Sequence, residues 1–379
     1  MSPLRWGLGM LDRQKLLKEL SQIDQRIFGK ADDELVLAQT TWKLIQNDDM
    51  LAAKLQAKKW SVLVPLWQGA LGKVCDVQSQ SHPYQVLAVD GSQIYYDRHQ
   101  GPACYLINVG SVFFSYGLVQ SIVKFESTPS VVMSAGQGET CNAEGVNLAR
   151  EKAVLTWAVC QARKIVNLSQ NPFLCLFDGT LIFFQADGQT EQKEQFLIQY
   201  FQHLQALCDE KILHVGYISF PRSKELVNIL KLVIVDFEDK KTEACGLHKL
   251  TDMDVVQFFL QSGQRSIVFE SKAPVCYLYP KHLKPYFCYL NVGQEIARLE
   301  FPAWIAQDQN LVNQICGIVL DQASKGNGYP VCLFEAHEQA VVKACDRDFF
   351  YHMIQKMTQQ QAGNYQISKK SLKKAFVPV

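Results

Sequence analysis

Two aspartates with the same surroundings are the residues most able to do chemistry in this chain. In residues 84–96, YQVLAVDGSQIYY, the apolar run Val86, Leu87, Ala88 and Val89 has the pattern of a strand covered on both faces, and it ends in Asp90, Gly91 and Ser92. In residues 173–180, FLCLF runs into Asp178, Gly179 and Thr180. Two acids delivered at the ends of buried strands can share a metal, because carboxylate oxygens suit hard divalent cations. A second reading stands beside this one. Asp-Gly between apolar runs is also the strongest short hairpin signal, since glycine tolerates the positive φ of a type I′ turn, and SQIYY or TLIFF would then be return strands. For either site alone the hairpin is favoured; the recurrence raises the metal reading.

A third carboxylate falls on a helix expected over 143–166. Val146, Ala149, Ala153, Trp157 and Cys160 share one face, while Glu151 sits between Leu148 and Leu155, so a second apolar patch surrounds an acid. Such a carboxylate costs stability unless a cation meets it. A snorkelling or salt-bridged Glu151, with Arg150 next to it, is the ordinary alternative, and Glu144, one heptad earlier, competes for the role. Arg222, Ser223 and Lys224 open a later helix, where cations and exposed N–H groups together can hold phosphate; a solvated helix start is an equal alternative. His248, Asp252 and Asp254 have no spacing that fits a metal site. Residues 286–302 alternate as a hairpin around Gly293, with Arg298 and Glu300 on one face. Over 329–347 a short strand is expected to run into a helix on which His337, Val341 and Ala344 share a face, and a histidine so placed is more often a packing residue than a catalyst. Lys369, Lys370, Lys373 and Lys374 form a basic tail, usually solvated and otherwise a DNA or partner contact.

These residues need a scaffold, and its outline is readable. Residues 11–60 read as helix, with Leu16, Leu17, Leu20, Ile23 and Ile27 at spacings of three and four, then Leu37, Thr41, Leu44 and Ile45 in a second segment. With no cluster of acids or histidines, this is a packing or partner-binding arm. Ser79, Ser81, His82 and Pro83 mark a boundary. Residues 84–134 form a β-meander: the Asp90 strand, 103–109 and 111–116 separated by Gly110, then 118–125 and 130–134, ended by Gly136, Gln137 and Gly138. An amphipathic helix over 191–210, a strand over 212–220 and a helix over about 308–323 follow. The strand-helix alternation across 172–237 argues for a parallel or mixed α/β sheet.

The chain is 379 residues long, enough for a large core, with 48% hydrophobic and 20% charged residues, an ordinary globular balance. No apolar run approaches the roughly 20 residues that span a bilayer, and residues 1–18 lack the apolar centre of a signal peptide, so no membrane association and a cytoplasmic location are expected. The 12 cysteines contain no CxxC and sit mostly in apolar runs, which argues for core packing over zinc or disulfides. A net charge of +1 is weak support for nucleic-acid binding, although a local basic groove needs no overall excess.

Val89-Asp90-Gly91-Ser92, Arg150-Glu151, Phe177-Asp178-Gly179 with Leu181, and Gly328-Tyr329-Pro330 through Glu335-Ala336-His337 occur in the order seen in the NurA nuclease family. The resemblance spans about residues 84–350. It implies a ribonuclease-H-like fold, α/β with a mixed sheet flanked by helices, to which an N-terminal helical segment is added. Three parts are expected: a helical segment 1–80, a nuclease domain 81–350, and a C-terminal helix with basic tail 351–379. By the same resemblance Asp90, Glu151 and Asp178 are metal-binding carboxylates for two Mn²⁺ or Mg²⁺ ions, and Tyr329 and His337 complete the catalytic set. Arg222, Lys224 and Arg298 are expected to bind substrate. The implied protein is a DNA exonuclease, or an endonuclease on single strands. It would be a homodimer whose two sites face a channel, acting in end resection and repair with a HerA-type hexameric helicase. The rival readings are a non-catalytic adaptor or single-stranded DNA-binding partner of an ATPase ring, and an RNA-directed nuclease of the same fold.

Overall fold

A computed structural model describes residues 12–22, 32–80, 83–100, 102–117, 120–133, 142–166, 171–183 and 191–361. Three helices, α1 (Arg13–Ser21), α2 (Asp32–Ile45) and α3 (Leu51–Gln56), precede strand β1 (Val74–Asp76). A meander of long strands follows, β2 (Tyr84–Ile94), β3 (Cys104–Tyr116) and β4 (Ile122–Met133), then α4 (Ala143–Val166). Next come β5 (Phe173–Asp178), α5 (Glu191–Asp209), β6 (Leu213–Ile218), α6 (Glu225–Ile234) and α7 (Asp252–Val256). The short strands β7 (Gln264–Ser266) and β8 (Phe269–Glu270) lead to the hairpin of β9 (Pro285–Asn291) and β10 (Ile296–Pro302). The chain ends in α8 (Ala303–Ala306), α9 (Gln309–Lys325), α10 (Val331–Ala340) and α11 (Ala344–Gln361).

Among the described residues the strands form one mixed sheet in the order β1-β7-β9-β10-β6-β5-β2-β3-β4, with β8 beside β9. The pairs β2/β5 and β5/β6 are parallel and the others antiparallel. This is the mixed, helix-flanked α/β sheet of a ribonuclease-H-like fold. The uninterrupted apolar run of β2 has the cause inferred for it. Leu87 and Val89 face a core built with α4 and α5, while Tyr84, Val86 and Ala88 face one built with α9 and α10. A third core joins α2 and α3 to α6 and α7, where Trp42 stacks on Phe259 at 4.5 Å between ring centroids. No described helix is long and apolar enough to cross a membrane.

Several local expectations are corrected. Gly110 does not divide two strands: β3 runs straight through it, and β4 is likewise one strand where two were expected. Residues 329–334 contain no strand; α10 begins directly after Pro330 and stops at Ala340, so Val341 lies beyond it and Ala344 starts α11. In the N-terminal arm Thr41 and Ile45 are buried, but Leu37 and Leu44 are exposed and Ala38 and Trp42 take the inward positions. Helix α1 buries no residue. Asp252 and Asp254 are helix caps, as detailed below. Ile23, Ile27, Ser81, His82, Leu118, the Gly136-Gln137-Gly138 stretch and the lysines at 369, 370, 373 and 374 lie outside the described residues.

Candidate active site

The hairpin reading of both Asp-Gly pairs fails on register. β2 continues through Asp90 and Gly91 to Ile94, with Asp90 opposite Gly110 of β3. On its other side β2 runs parallel to β5 with Val89 opposite Phe177, so the next residue on each strand is an aspartate, Asp90 and Asp178. Residues in matching register on neighbouring strands, roughly 4.8 Å apart, point to the same face. Two carboxylates are therefore brought side by side at the carboxyl end of β5, on the face of the sheet that Val86, Ala88, Leu174 and Leu176 share with α9 and α10.

The close approach of α4 depends on Gly91. A Cβ there would sit 2.6 Å from Val154 Cγ2 and 3.0 Å from Arg150 Cγ. The contact seats Arg150, whose Nη1 donates to the Gly91 carbonyl at 3.1 Å and whose Nη2 meets Glu151 Oε1 at 2.5 Å. Glu151 thus has the cation that its apolar setting calls for, and it also lies at the aspartates. A small cavity of about 60 Å³ is lined by Asp90, Arg150, Glu151, Asp178 and Thr180. Glu144 is on the same helix but half exposed and paired with Lys193 at 2.9 Å, away from this cavity.

Helix α10 brings the histidine. A Cβ on Gly110 would fall 2.2 Å from the Ala340 nitrogen and 2.6 Å from the Ala336 carbonyl oxygen, so the helix backbone rests on β3 directly opposite Asp90. Its last carbonyls, which no helical N–H can satisfy, accept from the sheet: Asn108 Nδ2 donates to Gln339 and Ala340 at 3.1 and 2.9 Å, and the Ser92 hydroxyl donates to Ala340. Held there, His337 places Nδ1 at 2.9 Å from Asp90 Oδ2 while half its side chain remains exposed. The second Asp90 oxygen accepts from the Gly91 N–H at 2.6 Å. Tyr329, just before α10, donates its hydroxyl to Asp178 and sets its ring edge-on to Tyr217 at 5.5 Å. Tyr217 and Ser219 in turn donate to Glu295, the serine at 2.6 Å.

The electrostatics are those of crowded negative charge. Burial raises the Glu151 carboxyl above its usual range; Arg150 works against that and the Asp90 charge adds to it. Burial also raises Asp178, with the Tyr329 hydrogen bond and His337 lowering it and the charges of Asp90 and Glu295 raising it. Burial and the neighbouring Asp178 charge push the Tyr329 phenol up, so it is a hydrogen-bond donor at neutral pH. Asp90, Glu151, Asp178, Tyr329 and His337 are thus gathered in one place. Sequence reasoning missed Gly110, Asn108 and Glu295, whose roles depend wholly on tertiary contacts.

The expected substrate contacts fare differently. Arg298 is 3% exposed, bonded to Glu225 and, through Nε at 2.8 Å, to Glu300; it lies over the Phe287 ring, so it is a buried structural cation whose charge is already met. The N-terminus of α6 offers nothing to phosphate, because buried Asp252 already accepts from the N–H groups of Glu225, Leu226 and Val227 at 2.9, 2.7 and 3.0 Å. Asp254 closes a capping box with Thr251. Lys224 donates to the His248 carbonyl at 2.7 Å, and Arg222 is exposed on the same loop.

The donor set fits a hard divalent cation. Its donor atoms are all carboxylate oxygens, and burial, with the Asp90 charge adding to it, raises Glu151 and Asp178, a cost that a cation would relieve. The cavity has room for about two water-sized bodies. Among the described residues no three His, Cys, Asp or Glu side chains are already drawn together as a cage.

Carboxylates thus stand at matched positions on two neighbouring parallel strands of a mixed sheet, with a third acid on α4 lining the same cavity. The model of the NurA domain matches residues 84–342, well over half of the chain, and the chain belongs to the NurA domain family. Among solved structures, a crystal structure of NurA is similar at 11% identity, covering 94% of this chain and 98% of that one, with a TM-score of 0.44. A NurA crystal structure with manganese is 11% identical over 92% of this chain and 98% of its own, with a TM-score of 0.38. One of NurA bound to dAMP and manganese is 12% identical over 89% and 95%, with a TM-score of 0.36. Comparison with curated proteins gives no match.

Proposed function

We propose that this protein is a metal-dependent phosphodiesterase that degrades DNA, as an exonuclease at ends and as an endonuclease on single strands. The observation that carries this reading is the parallel register that puts Asp90 beside Asp178, with Glu151 lining the same cavity. Asp90, Glu151 and Asp178 would hold Mn²⁺ or Mg²⁺, which when bound supplies charge neutralisation at the phosphate and lowers the pKa of an attacking water. His337, tied to Asp90 and half exposed, is placed to move a proton near the leaving strand. The Tyr329 hydroxyl fixes the orientation of Asp178. Arg150 holds Glu151 until it is exchanged for the cation. Arg222 and Lys224 meet the backbone of the bound strand.

Family membership supports action in end resection and repair with a HerA-type hexameric helicase, and a homodimeric assembly. The outer edge of β4, which no described strand pairs, and its exposed apolar side chains, Val123, Phe125 and Val131 among them, offer a surface for a second copy. The Arg150–Glu151 pair favours one second reading, an adaptor that docks on an ATPase ring and binds no metal. Two measurements test the proposal. Mn²⁺ should raise the melting temperature of the wild type and not of Asp178→Asn, since a ligand that binds only the folded state stabilises it; no shift in either supports the adaptor. Matched DNA and RNA substrates should show preference for DNA, and preference for RNA would make it a reader of the 2′-hydroxyl.

A further inference from the structure

Thr180, two residues past Asp178, lines the carboxylate cavity and also an adjoining pocket of about 430 Å³ that Arg222, Ser223 and Lys224 help to wall. Leu63 lines that pocket and, in turn, a groove of about 820 Å³ that passes Lys58, Lys59, Trp60, Lys272 and Tyr277. We propose that these three spaces, which share Thr180 and Leu63 as lining residues, form a track for single-stranded DNA from the carboxylates to the N-terminal arm. The inference rests on the reading of the carboxylates as a DNA-cleaving centre, and it gives the arm a direct part in holding substrate.

The chemistry of the lining selects the occupant. Lysines beside exposed rings suit a strand whose phosphates need neutralising and whose unpaired bases need a stacking surface. The Tyr277 ring is 65% exposed. Lys58 Nζ lies 3.9 Å from the centroid of the Trp60 ring and donates to the Phe237 carbonyl at 3.2 Å, which fixes the ring and the cation together. The acids nearby have partners of their own, and Glu225 and Glu300, which line the middle pocket, are both bonded to Arg298. Asp239 accepts from the Ser61 N–H and hydroxyl at 2.8 and 2.7 Å, and Glu270 is met by Lys272 at 2.8 Å and Lys284 at 3.9 Å. Lys59 is left exposed in the outer groove and Arg222 in the middle pocket. An acidic protein would use the lysines but has no need of the Tyr277 ring, and a duplex would offer it no free base face.

The test separates binding from cleavage. Fluorescence anisotropy of a long labelled oligothymidylate would be measured on full-length Asp90→Asn protein in EDTA, alone and with Tyr277→Ala or Lys59→Ala added; both side chains are exposed, and Lys284 Nζ lies 5.8 Å from the Tyr277 ring centroid. Tyr277→Ala should weaken binding about five- to a hundredfold. Lys59→Ala should reduce the slope of log affinity against log salt by about 0.7. A thymidine dinucleotide, too short to pass Thr180, should bind all variants equally. Unchanged affinity and slope for the long strand would overturn the track, even if the wild type cleaves DNA. Weakened long-strand binding in a protein that cleaves no DNA would support the track while refuting the nuclease. Binding of polyglutamate in preference to DNA would assign the groove to an acidic protein partner and overturn the proposal.

Discussion

Arg298→Ala distinguishes a buried structural cation from a substrate contact. Arg298 is bonded to Glu225 and Glu300, which are 4% and 1% exposed, and its guanidinium carbon lies 3.6 Å from the centroid of the Phe287 ring. Removing it strands two carboxylates in the core, a change that typically costs about 3–5 kcal/mol. At roughly 1.3 °C per kcal/mol for a chain of this size, the melting temperature should fall by about 4–6 °C. Burial already holds Glu225 above the usual carboxylate range even with Arg298 beside it, and losing the arginine sends it higher. A carboxyl whose folded pKa lies above its unfolded value, about 4.3, gives no penalty below that pH and a growing one as pH rises towards the folded pKa. The deficit of Arg298→Ala should therefore widen from about pH 5 to pH 8, and Glu225→Gln in an Arg298→Met background should recover part of it. Differential scanning calorimetry across pH reads both effects. An unchanged melting temperature with weakened DNA binding would refute this reasoning and return Arg298 to the substrate.

Three further outcomes follow from the site's supports. Gly110→Ala forces a methyl into the backbone of α10, so a loss of about 1–3 kcal/mol and a fall in cleavage rate are expected as His337 leaves Asp90; wild-type melting and rate would contradict the close approach. Asp252→Ala leaves the N–H groups at the start of α6 without an acceptor and should cost about 2 kcal/mol or more in thermal or urea unfolding, against no change if solvent can replace it. Tyr329→Phe removes the hydrogen bond that lowers Asp178, so the acid limb of the pH-rate profile should move to higher pH; a limb that stays or moves down would refute the assigned bond.

The strands carrying Asp90 and Asp178 were legible because burial on both faces writes itself locally, as an unbroken apolar run. Whether Asp-Gly then turns or continues was not, since the choice is made by pairing with β3, the next strand, and with β5, which follows only after β4 and α4. The amphipathic pattern around Glu151 correctly called for a cation, and its neighbour Arg150 supplies it. Arg298 and Glu300 do share a face, but the partner that buries them, Glu225, is separated from Arg298 by 73 positions, and periodicity holds no trace of it. The apolar stretch after Pro330 reads equally as strand or helix over so few residues, and α10 is settled by its seat on β3. Gly110 looked like a break because glycine so often is one; here its missing side chain is the space the helix occupies.

The central claim is that Asp90, Glu151 and Asp178 form a metal-dependent centre that cleaves DNA. Its most direct test is degradation of end-labelled single- and double-stranded DNA by purified protein with Mn²⁺, beside Asp90→Asn and an EDTA control, with circular dichroism to show that the variant is folded. The account predicts cleavage by the wild type that EDTA abolishes and Asp90→Asn lacks. Equal cleavage by a folded Asp90→Asn protein, or none by the wild type with Mn²⁺ and a helicase supplied, would contradict it.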